Sequence, residues 1–398
     1  MKNICIIYSA ITNKGIIAFN PKAEFSGNNM ESFKKFAKKH KKCKLIGYIS
    51  YDTAYKLHNI KKTAKNDLKL PEIYFLAFDK YKNTNLKEIK SLLIENTRTN
   101  KQKQKTRQTI FKPTAPLREY KTSYKKIKKY IKEGDIYQIN LTHRLEAQTN
   151  IPSKQLFLNI IRDNPVDFLT YIEGDNFEIL SASPERFIQI KNKKIETCPI
   201  KGTRPRGETY KKDKELKREL IKNEKEEAEL NMITDLLRND MGRVCEIGSV
   251  KVTGKRIIKK CSTVWHTFSR IIGKIKPNIT ELEALISMLP GGSITGCPKK
   301  RAIEIIDELE PKTRSVYTGV MGYIDPTGNS EEVANKKPSA CGGHPNQNLD
   351  FSIAIRTIIK KGGKLYLQVG GGIVVDSKEE TEYQETLDKA KSFFGIFR

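Results

Sequence analysis

The stretch Leu365-Tyr-Leu-Gln-Val-Gly-Gly-Gly-Ile-Val-Val-Asp-Ser-Lys-Glu-Glu-Thr-Glu-Tyr-Gln-Glu-Thr-Leu-Asp-Lys-Ala decides the fold class. Its apolar and aromatic residues predict a strand at 365–369, and the glycines at 370–372 predict a turn before a second strand at 373–375. A helix is predicted from Glu379 to Phe394. This order of elements lacks the strand–helix–strand rhythm of parallel α/β proteins.

The rest of the chain shows the same irregular mixture. Short apolar runs between polar breaks predict strands. These strands begin at Cys5, Leu45, Ile73, Ile136, Phe168 and Phe177. Apolar residues at helical spacing predict helices from Tyr120 to Ile131, from Asp213 to Asn239 and from Lys299 to Glu308. This mixture favours an α+β fold, in which large antiparallel sheets pack together and are flanked by helices.

Changes in composition predict three parts of the chain. Residues 1–95 alternate short apolar runs with polar breaks, which indicates a β-rich N-terminal subdomain. Residues 96–117 are polar and contain Pro113 and Pro116, which is typical of a linker or surface loop. Residues 118–398 then form one larger domain.

Composition also narrows the class of protein. The 398 residues are 37% hydrophobic, and no apolar run is long enough to span a membrane. The start at Met1 lacks the apolar stretch and cleavage site of a signal peptide, so we expect a cytoplasmic protein. Seven scattered cysteines without a CxxC pair indicate reduced thiols.

The formal net charge of +28 has two interpretations. One is a basic nucleic-acid-binding protein or a protein of anionic membranes, which salt-dependent retention on DNA would support. The other is a general lysine-rich composition, in which lysines alternate with acids and apolar residues along the whole chain. Because the sequence contains no RNA-binding signature, zinc finger or basic arm, we expect neither nucleic acid nor membrane as a partner.

Two pairs of glutamates are candidates for metal binding. Glu226 and Glu229 are three residues apart in one predicted helix, and Glu382 and Glu385 are three apart in another. Residues at this spacing share a helix face, where like charges repel and need a compensating cation. Two facing pairs would make an oxygen site suited to Mg²⁺. Taken alone, the pairs in so charged a chain are more typical of solvated helix faces than of a metal site.

A second candidate site combines Glu185 with Lys201. Glu185 lies in Ser181-Ala-Ser-Pro-Glu-Arg-Phe, and Lys201 lies in Pro199-Ile-Lys-Gly-Thr-Arg-Pro-Arg-Gly. A partly buried carboxyl can stay protonated and act as an acid, and a desolvated lysine can act as a nucleophile. The two residues are candidates on this basis and no more.

Seven motifs occur in order along the chain. They are Gly134-Asp-Ile-Tyr-Gln-Ile-Asn-Leu, Ser183-Pro-Glu-Arg-Phe, Pro199-Ile-Lys-Gly-Thr-Arg-Pro-Arg-Gly, Asp235-Leu-Leu-Arg-Asn-Asp, Pro290-Gly-Gly-Ser-Ile-Thr-Gly-Cys-Pro-Lys, Ile353-Ala-Ile-Arg-Thr and Glu382-Tyr-Gln-Glu-Thr-Leu-Asp-Lys-Ala. Together they resemble the chorismate-utilising enzymes, which include anthranilate, aminodeoxychorismate, isochorismate and salicylate synthases. The resemblance covers residues 118–396, so residues 118–398 are interpreted as a chorismate-binding catalytic domain of that family's fold.

The resemblance implies a Mg²⁺ site. Glu229 and Glu385 would bind the metal directly, and Glu226 and Glu382 would assist, in part through water. The metal would hold the ring carboxylate of chorismate.

The resemblance also implies substrate contacts. Arg356 and Tyr317 would bind the enolpyruvyl carboxylate, together with backbone amides near Gly370 and Gly372. Further contacts are implied for Lys389 with a carboxylate or the metal site, for the backbone around Gly296 and Cys297 with the ring, and for His266 in the ring pocket.

Three positions are implied to carry the chemistry. Glu185 would be the general acid that protonates the departing 4-hydroxyl. Family members that add water have a lysine base where this chain has Gln138, so ammonia is the expected nucleophile. Anthranilate synthases resemble Pro-Ile-Ala-Gly-Thr around position 201, whereas many aminodeoxychorismate synthases resemble Pro-Ile-Lys-Gly-Thr. Lys201 therefore favours component I of an aminodeoxychorismate synthase, and anthranilate synthase component I is the alternative.

Ammonia is expected from a partner. The chain contains no glutamine amidotransferase signature, so a separate amidotransferase subunit is the expected source. Three departures from the family pattern remain: Cys297 replaces the usual alanine, the loop at 327–349 is longer, and no Leu-Leu-Glu-Ser-like element for a tryptophan regulatory site is found.

Overall fold

The structure, a computed structural model, describes residues 2–95, 110–261, 264–327, 347–391 and 393–397. Numbered along the chain, its strands are β1 (Cys5–Ser9), β2 (Lys14–Ala18), β3 (Ala23–Gly27), β4 (Lys44–Ile49), β5 (Ile73–Phe78), β6 (Tyr81–Thr84), β7 (Lys112–Pro113), β8 (Gln138–Gln148), β9 (Phe168–Glu173), β10 (Glu178–Ser183), β11 (Arg186–Lys191), β12 (Lys194–Cys198), β13 (Ile200–Pro205), β14 (Lys251–Lys260), β15 (Val264–Lys274), β16 (Gly296–Cys297), β17 (Val320–Ile324), β18 (Leu349–Ile353), β19 (Thr357–Lys361) and β20 (Lys364–Ile373).

The helices flank these strands. They are α1 (Met30–Lys39), α2 (Thr53–Leu57), α3 (Leu86–Glu95), α4 (Leu117–Lys132), α5 (Ser153–Asp163), α6 (Tyr210–Lys222), α7 (Glu224–Val244), α8 (Glu281–Ser287), α9 (Lys299–Leu309) and α10 (Glu379–Lys391). Short 3-10 turns occupy Gly292–Ile294 and Phe394–Phe397. Across the described ranges, no helix combines the length and the apolar character that crossing a membrane requires.

The strands form two antiparallel sheets, each ten-stranded within the described residues. The first has the order β16-β8-β20-β19-β10-β9-β1-β2-β6, and β7 also pairs with β8. The second has the order β13-β15-β12-β11-β18-β17-β4-β5-β3, and β14 also pairs with β15. The predicted α+β class with large antiparallel sheets is confirmed.

The two sheets pack face to face. Ile172 and Ile179 of the first sheet share one buried apolar cluster with Tyr48 and Leu76 of the second. A second cluster joins the other side of strands such as β4 to α7, α8 and α9, and a third packs α3 and α5 against the first sheet. Buried apolar residues on both faces explain why β4 and β5 are continuous apolar runs rather than alternating ones.

N-terminal strands extend both sheets. Strand β1 pairs with β9, and β4 pairs with β17. Of the predicted linker, residues 96–109 lie outside the described residues, and so do residues 328–346 of the long loop. The division of the chain near residues 95 and 118 stays a prediction.

The predicted turn at 370–372 is wrong. Gly370, Gly371 and Gly372 continue β20 without interruption and pair with Thr142, Leu141 and Asn140 of β8. A Cβ atom on Gly370 would lie 2.7 Å from the Leu141 carbonyl oxygen. Glycine is therefore needed here for close backbone approach.

The predicted helix at 213–239 is two helices. Helix α6 ends at Lys222, and Asn223 begins α7 by accepting a hydrogen bond from the Glu226 amide. Asparagine is a favoured residue at a helix start because its short side chain satisfies a free backbone N–H. The charged, continuous pattern hides this break.

Gly47 tests the packing of the second sheet. A Cβ atom on Gly47 would lie 2.0 Å from the Tyr74 carbonyl oxygen. We expect Gly47→Ala to lower the free energy of unfolding by about 1–3 kcal/mol, because the backbone of β5 would have to move. Gly242→Ala in α7, where a Cβ atom meets nothing within 4 Å, is the control and should raise it by about 0.5–1 kcal/mol. Denaturant unfolding measures both, and equal effects would contradict the packing described.

Candidate active site

Lys201 lies where β13, β8, β20 and α7 meet. Its Nζ is 3.7 Å from Oε2 of Glu229, and its side chain is 18% exposed. A Cβ atom on Gly372 would lie 3.6 Å from this Nζ and 2.8 Å from Nε2 of Gln138. The three predicted catalytic or substrate positions 138, 201 and 372 are therefore neighbours.

Gln138 is buried at the start of β8. Its exposed fraction is 1%, and its Oε1 has no hydrogen-bond partner among the described residues. A buried amide oxygen without a partner is rare in folded proteins and marks a place where a ligand or water completes the contacts.

The two glutamate pairs face each other across Lys225. Nζ of Lys225 is 3.9 Å from Oε1 of Glu229 and 3.8 Å from Oε1 of Glu382. This places the acidic face of α7 against the acidic face of α10, and Lys225 is the compensating cation that the sequence required. Its position four residues before Glu229 was a signal of this role.

Cationic side chains also contact the remaining glutamate of each pair, Glu226 on α7 and Glu385 on α10. Oε1 of Glu226 accepts a hydrogen bond of 2.9 Å from Arg204, whereas its Oε2 is buried and has no partner among the described residues. Nζ of Lys389 lies 2.8 Å from Oε1 of Glu385 and donates to the Gly370 carbonyl oxygen at 3.0 Å. The carboxylates are thus held by side chains of α10 and of β13.

The pKa values of the α10 pair move in opposite directions. Burial raises the pKa of Glu382; the Ser377 hydrogen bond and Lys225 oppose this effect, and nearby Glu385 and Glu229 add to it. Burial would also raise the pKa of Glu385, but the charge and hydrogen bond of Lys389 outweigh it and lower that pKa. Like charges close together therefore have an energetic cost that a cation can relieve.

These carboxylates fit a hard cation in donor type and charge. Within the ranges that the structure describes, no group of three or more His, Cys, Asp or Glu side chains lies close enough together to hold a metal ion. Lysine ammonium groups instead lie between the carboxylates. Carboxylate oxygens, one of which is the unpartnered Oε2 of Glu226, are nevertheless the kind of donor that suits Mg²⁺.

Glu185 is a buried acid beside this cluster. It lies between β10 and β11, is 6% exposed, and its Oε1 accepts a hydrogen bond of 2.9 Å from Ser293 Oγ. Burial raises the pKa of Glu185 to about 7, against the opposing effects of Ser293 and of the Lys201 charge. A carboxyl group with this pKa can donate a proton near neutrality. The motif that begins at Pro290 contains Ser293, but the motif alone does not predict the hydrogen bond of Ser293 to Glu185.

His266 and Arg356 are two further residues predicted to bind the substrate, and they lie close enough for their charges to interact. His266 is buried, and its Nδ1 is 2.8 Å from Oγ1 of Thr203. Burial, followed by the positive charge of Arg356, lowers the pKa of His266 to about 4, so its ring is neutral. Burial also lowers the pKa of Arg356, whose guanidinium forms no ion pair in the described part of the chain. Arg356 is partly buried, and a cation in such a place without a partner carboxylate is suited to binding an anion.

Backbone around the three remaining predicted positions is also closely packed. Gly296 has a φ of +149°, and a Cβ atom there would lie 2.3 Å from the Gln138 carbonyl oxygen. Cys297 pairs with Gln138 across β16 and β8. Tyr317 is buried, which raises its pKa; no described hydrogen bond joins its side chain to the cluster around Lys201.

The family model described as chorismate binding enzyme matches residues 3–333 and 341–395. The chain belongs to the chorismate binding enzyme family. The resemblance drawn from the seven motifs is confirmed at this level. The match begins well before residue 118, so it reaches further toward the N-terminus than those motifs did.

Relatives of two activities are about equally similar. The chain is 35% identical to aminodeoxychorismate synthase component 1 of Bacillus subtilis (strain 168), over 87% of this chain and 75% of the relative. It is 33% identical to anthranilate synthase component 1 of Acetivibrio thermocellus, over 98% of this chain and 84% of the relative. The crystal structure of anthranilate synthase component I from Streptococcus pneumoniae TIGR4 matches with a TM-score of 0.80 and 29% identity, over 96% of this chain and 92% of that one. Overall similarity therefore does not separate these family members.

The raised pKa of Glu185 predicts a pH-dependent stability. The pKa of Glu185 rises from 4.5, the ordinary value of a glutamate in an unfolded chain, to about 7 in the fold, so the native state binds more protons between these pH values. The free energy of unfolding should fall as the pH rises from 4.5 to 7, by on the order of 3 kcal/mol from this group alone.

Glu185→Gln, which cannot ionise, removes this contribution. Denaturant unfolding at several pH values would compare the two proteins, and Glu208→Gln, at an exposed position, is the control. If wild type and Glu185→Gln had parallel pH profiles, the carboxyl would titrate normally.

Proposed function

We propose that the chain is the chorismate-binding component of an aminodeoxychorismate synthase, which converts chorismate and ammonia to 4-amino-4-deoxychorismate and water, for p-aminobenzoate and folate synthesis. The observation that carries this proposal is the position of Lys201, whose Nζ lies 3.7 Å from Glu229 and beside Gln138. Since relatives of both activities are similarly identical, the choice depends on this residue. Anthranilate synthase component I is the second candidate, supported by the relative matched over 98% of the chain.

The proposed chemistry uses Lys201 and Glu185 in turn. The neutral lysine amine attacks carbon 2, the ring double bonds shift, and the 4-hydroxyl leaves as water with the proton of Glu185. Ammonia then attacks carbon 4, the double bonds shift back, and the lysine amine leaves carbon 2, after which the new ammonium group at carbon 4 returns a proton to Glu185. Dividing one substitution into two allylic displacements lowers the barrier of each. Gln138 cannot act as a base toward water, which supports ammonia as the nucleophile.

Substrate binding is proposed to use the two carboxylates of chorismate. Glu229 and Glu385, assisted by Glu226 and Glu382, would hold Mg²⁺, which when bound neutralises and orients the ring carboxylate. Arg356 is the proposed partner of the enolpyruvyl carboxylate because it is a partly buried cation without an ion pair among the described residues. Tyr317 and the backbone at Gly370 and Gly372 would complete that contact.

The remaining proposed contacts form the ring pocket. Neutral His266 and the backbone at Gly296 and Cys297 would line it, and Lys389 would contact a substrate carboxylate or the metal site. The proposed partner is a glutamine amidotransferase subunit that supplies ammonia, because no amidotransferase signature is present in the sequence.

Replacing Lys201 tests the reaction. Lys201→Ala should lower the formation of aminodeoxychorismate by about 100-fold or more, the loss typical of removing one catalytic group, and residual product should shift toward attack at carbon 2. Wild type with chorismate and without ammonia should show a mass adduct on the peptide that contains Lys201. Lys194→Ala, at the exposed start of β12, is the control. An unmodified peptide together with an unchanged rate and product for Lys201→Ala would favour anthranilate synthase.

Replacing one carboxylate tests the metal site. Glu229→Gln removes a hard oxygen charge, so the Mg²⁺ concentration for half-maximal activity should rise by about tenfold or more. Glu227→Gln is the matched control, because Glu227 lies on the same helix and pairs with Arg256 at the surface. Activity should disappear in excess chelator. Full wild-type activity in chelator, or equal effects of the two substitutions, would contradict the proposed metal site.

A further inference from the structure

A fully buried ion pair lies behind the proposed substrate site. Arg314 is 0% exposed and Glu310 is 4% exposed. Arg314 Nε is 2.9 Å from Glu310 Oε2, and its NH2 is 2.7 Å from Oε1. The ring of Tyr51 stacks on the guanidinium, 4.6 Å from its central carbon. Removing two charges from water is unfavourable, and hydrogen bonds to further polar groups offset part of that cost.

Those further contacts all go to backbone groups. Arg314 NH1 donates to the Ile294 carbonyl oxygen at 2.8 Å, and NH2 donates to the Asn140 carbonyl oxygen at 2.5 Å. Glu310 Oε1 accepts from the Thr142 amide at 2.9 Å. The pair thus links the loop before β16 to strand β8, just beyond the two residues where β8 pairs with β16.

The linked backbone adjoins the proposed substrate contacts on both sides. Ile294 precedes Gly296 by two residues, and Gly296 pairs with Ile139. On the other edge of β8, Asn140 and Thr142 pair with Gly372 and Gly370. Strand β8 therefore lies between the two backbone stretches that are proposed to face chorismate, and the ion pair holds it in position.

We propose that Arg314, held by Glu310, is a positioning residue that sets the spacing between the loop at 294–297 and strand β8, and thereby the backbone that binds chorismate. The inference rests on the proposed function for the identity of the substrate. Arg314 acts only through the backbone, because its guanidinium donors are directed to Glu310, Ile294 and Asn140.

Strand β8 provides a matched control. Arg144 is 3% exposed and is also held by a carboxylate, with its NH1 3.0 Å from both oxygens of Asp67. Its NH2 reaches the Thr313 carbonyl oxygen at 3.4 Å, and no described hydrogen bond joins it to the loop at 294–297. Arg144→Lys therefore removes a buried guanidinium from the same region without releasing the proposed substrate backbone.

The experiment compares Arg314→Lys, Glu310→Gln and Arg144→Lys in a chorismate-consumption assay with ammonium and Mg²⁺. Arg314→Lys should raise KM for chorismate by about tenfold or more, the scale of one lost charge-assisted hydrogen bond. The KM for ammonium and the half-activating Mg²⁺ concentration should stay within about twofold, since those contacts do not depend on the pair. Glu310→Gln keeps the volume and an acceptor for Thr142, so its effect should be smaller in the same direction.

A second readout follows the spacing directly. Hydrogen exchange of the peptides 138–145 and 290–298 should accelerate in Arg314→Lys and Glu310→Gln and stay unchanged in most other peptides. Equal rises in the chorismate KM for Arg144→Lys and Arg314→Lys would overturn the inference, as would an unchanged KM despite faster exchange. If neither Arg314→Lys nor Glu310→Gln folds, the pair is structural and the inference is wrong. Product mass, read in the same assay, tests the proposed function separately, because either aminated product leaves the KM comparison intact.

Discussion

The pairing of β8 with β20 is the constraint on which the site depends. Ten residues of β20, from Lys364 to Ile373, pair with β8 from Gln148 to Ile139. The pairing brings bare glycine backbone against β8, because a side chain at Gly370 would meet the Leu141 carbonyl oxygen. It places Gly372 beside Gln138 and Lys201, and α10 follows a few residues after the strand ends. If β8 and β20 did not pair this closely, Lys201 and the α10 carboxylates would therefore lie further apart.

Local patterns in the sequence predicted many of the elements. Tyr120, Tyr124 and Ile127 predicted α4 and are buried in it. Two predictions failed, the first because the deciding contact is not local and the second because charged residues on both sides mask a local contact. Three successive glycines are typical both of a turn and of close strand approach, and only the partner strand distinguishes the two. A helix break at a single asparagine is likewise hidden within a continuously charged stretch.

In the candidate site, too, the sequence predicted some features, whereas others depend on partners far away along the chain. Motifs in order predicted the family, and helical spacing predicted that each glutamate pair shares a face. The sequence could not predict that the two pairs meet across Lys225, or that Glu310 and Arg314 bind backbone of β8, because those partners are distant along the chain. Glu185 illustrates the physical reason, because its pKa is raised by burial in the surrounding fold, which local sequence does not reveal. By contrast, the exposed Glu283 has its pKa lowered by hydrogen bonds with Thr280, only three residues away.

Lys201, on which the choice of proposed reaction depends, also affects the charge of the proposed metal site. Four carboxylates, Glu226, Glu229, Glu382 and Glu385, are contacted by four cations, Lys201, Lys225, Lys389 and Arg204. Arg204 also pairs with Glu219, so the positive charges do not exceed the negative ones at this point even while Lys201 is charged. An alanine at position 201, like the neutral amine of the proposed attack, would leave one more negative charge uncompensated. On the proposed function, a member with alanine there must meet that charge by another route, so the residue at 201 affects both the chemistry and the electrostatics of cation binding.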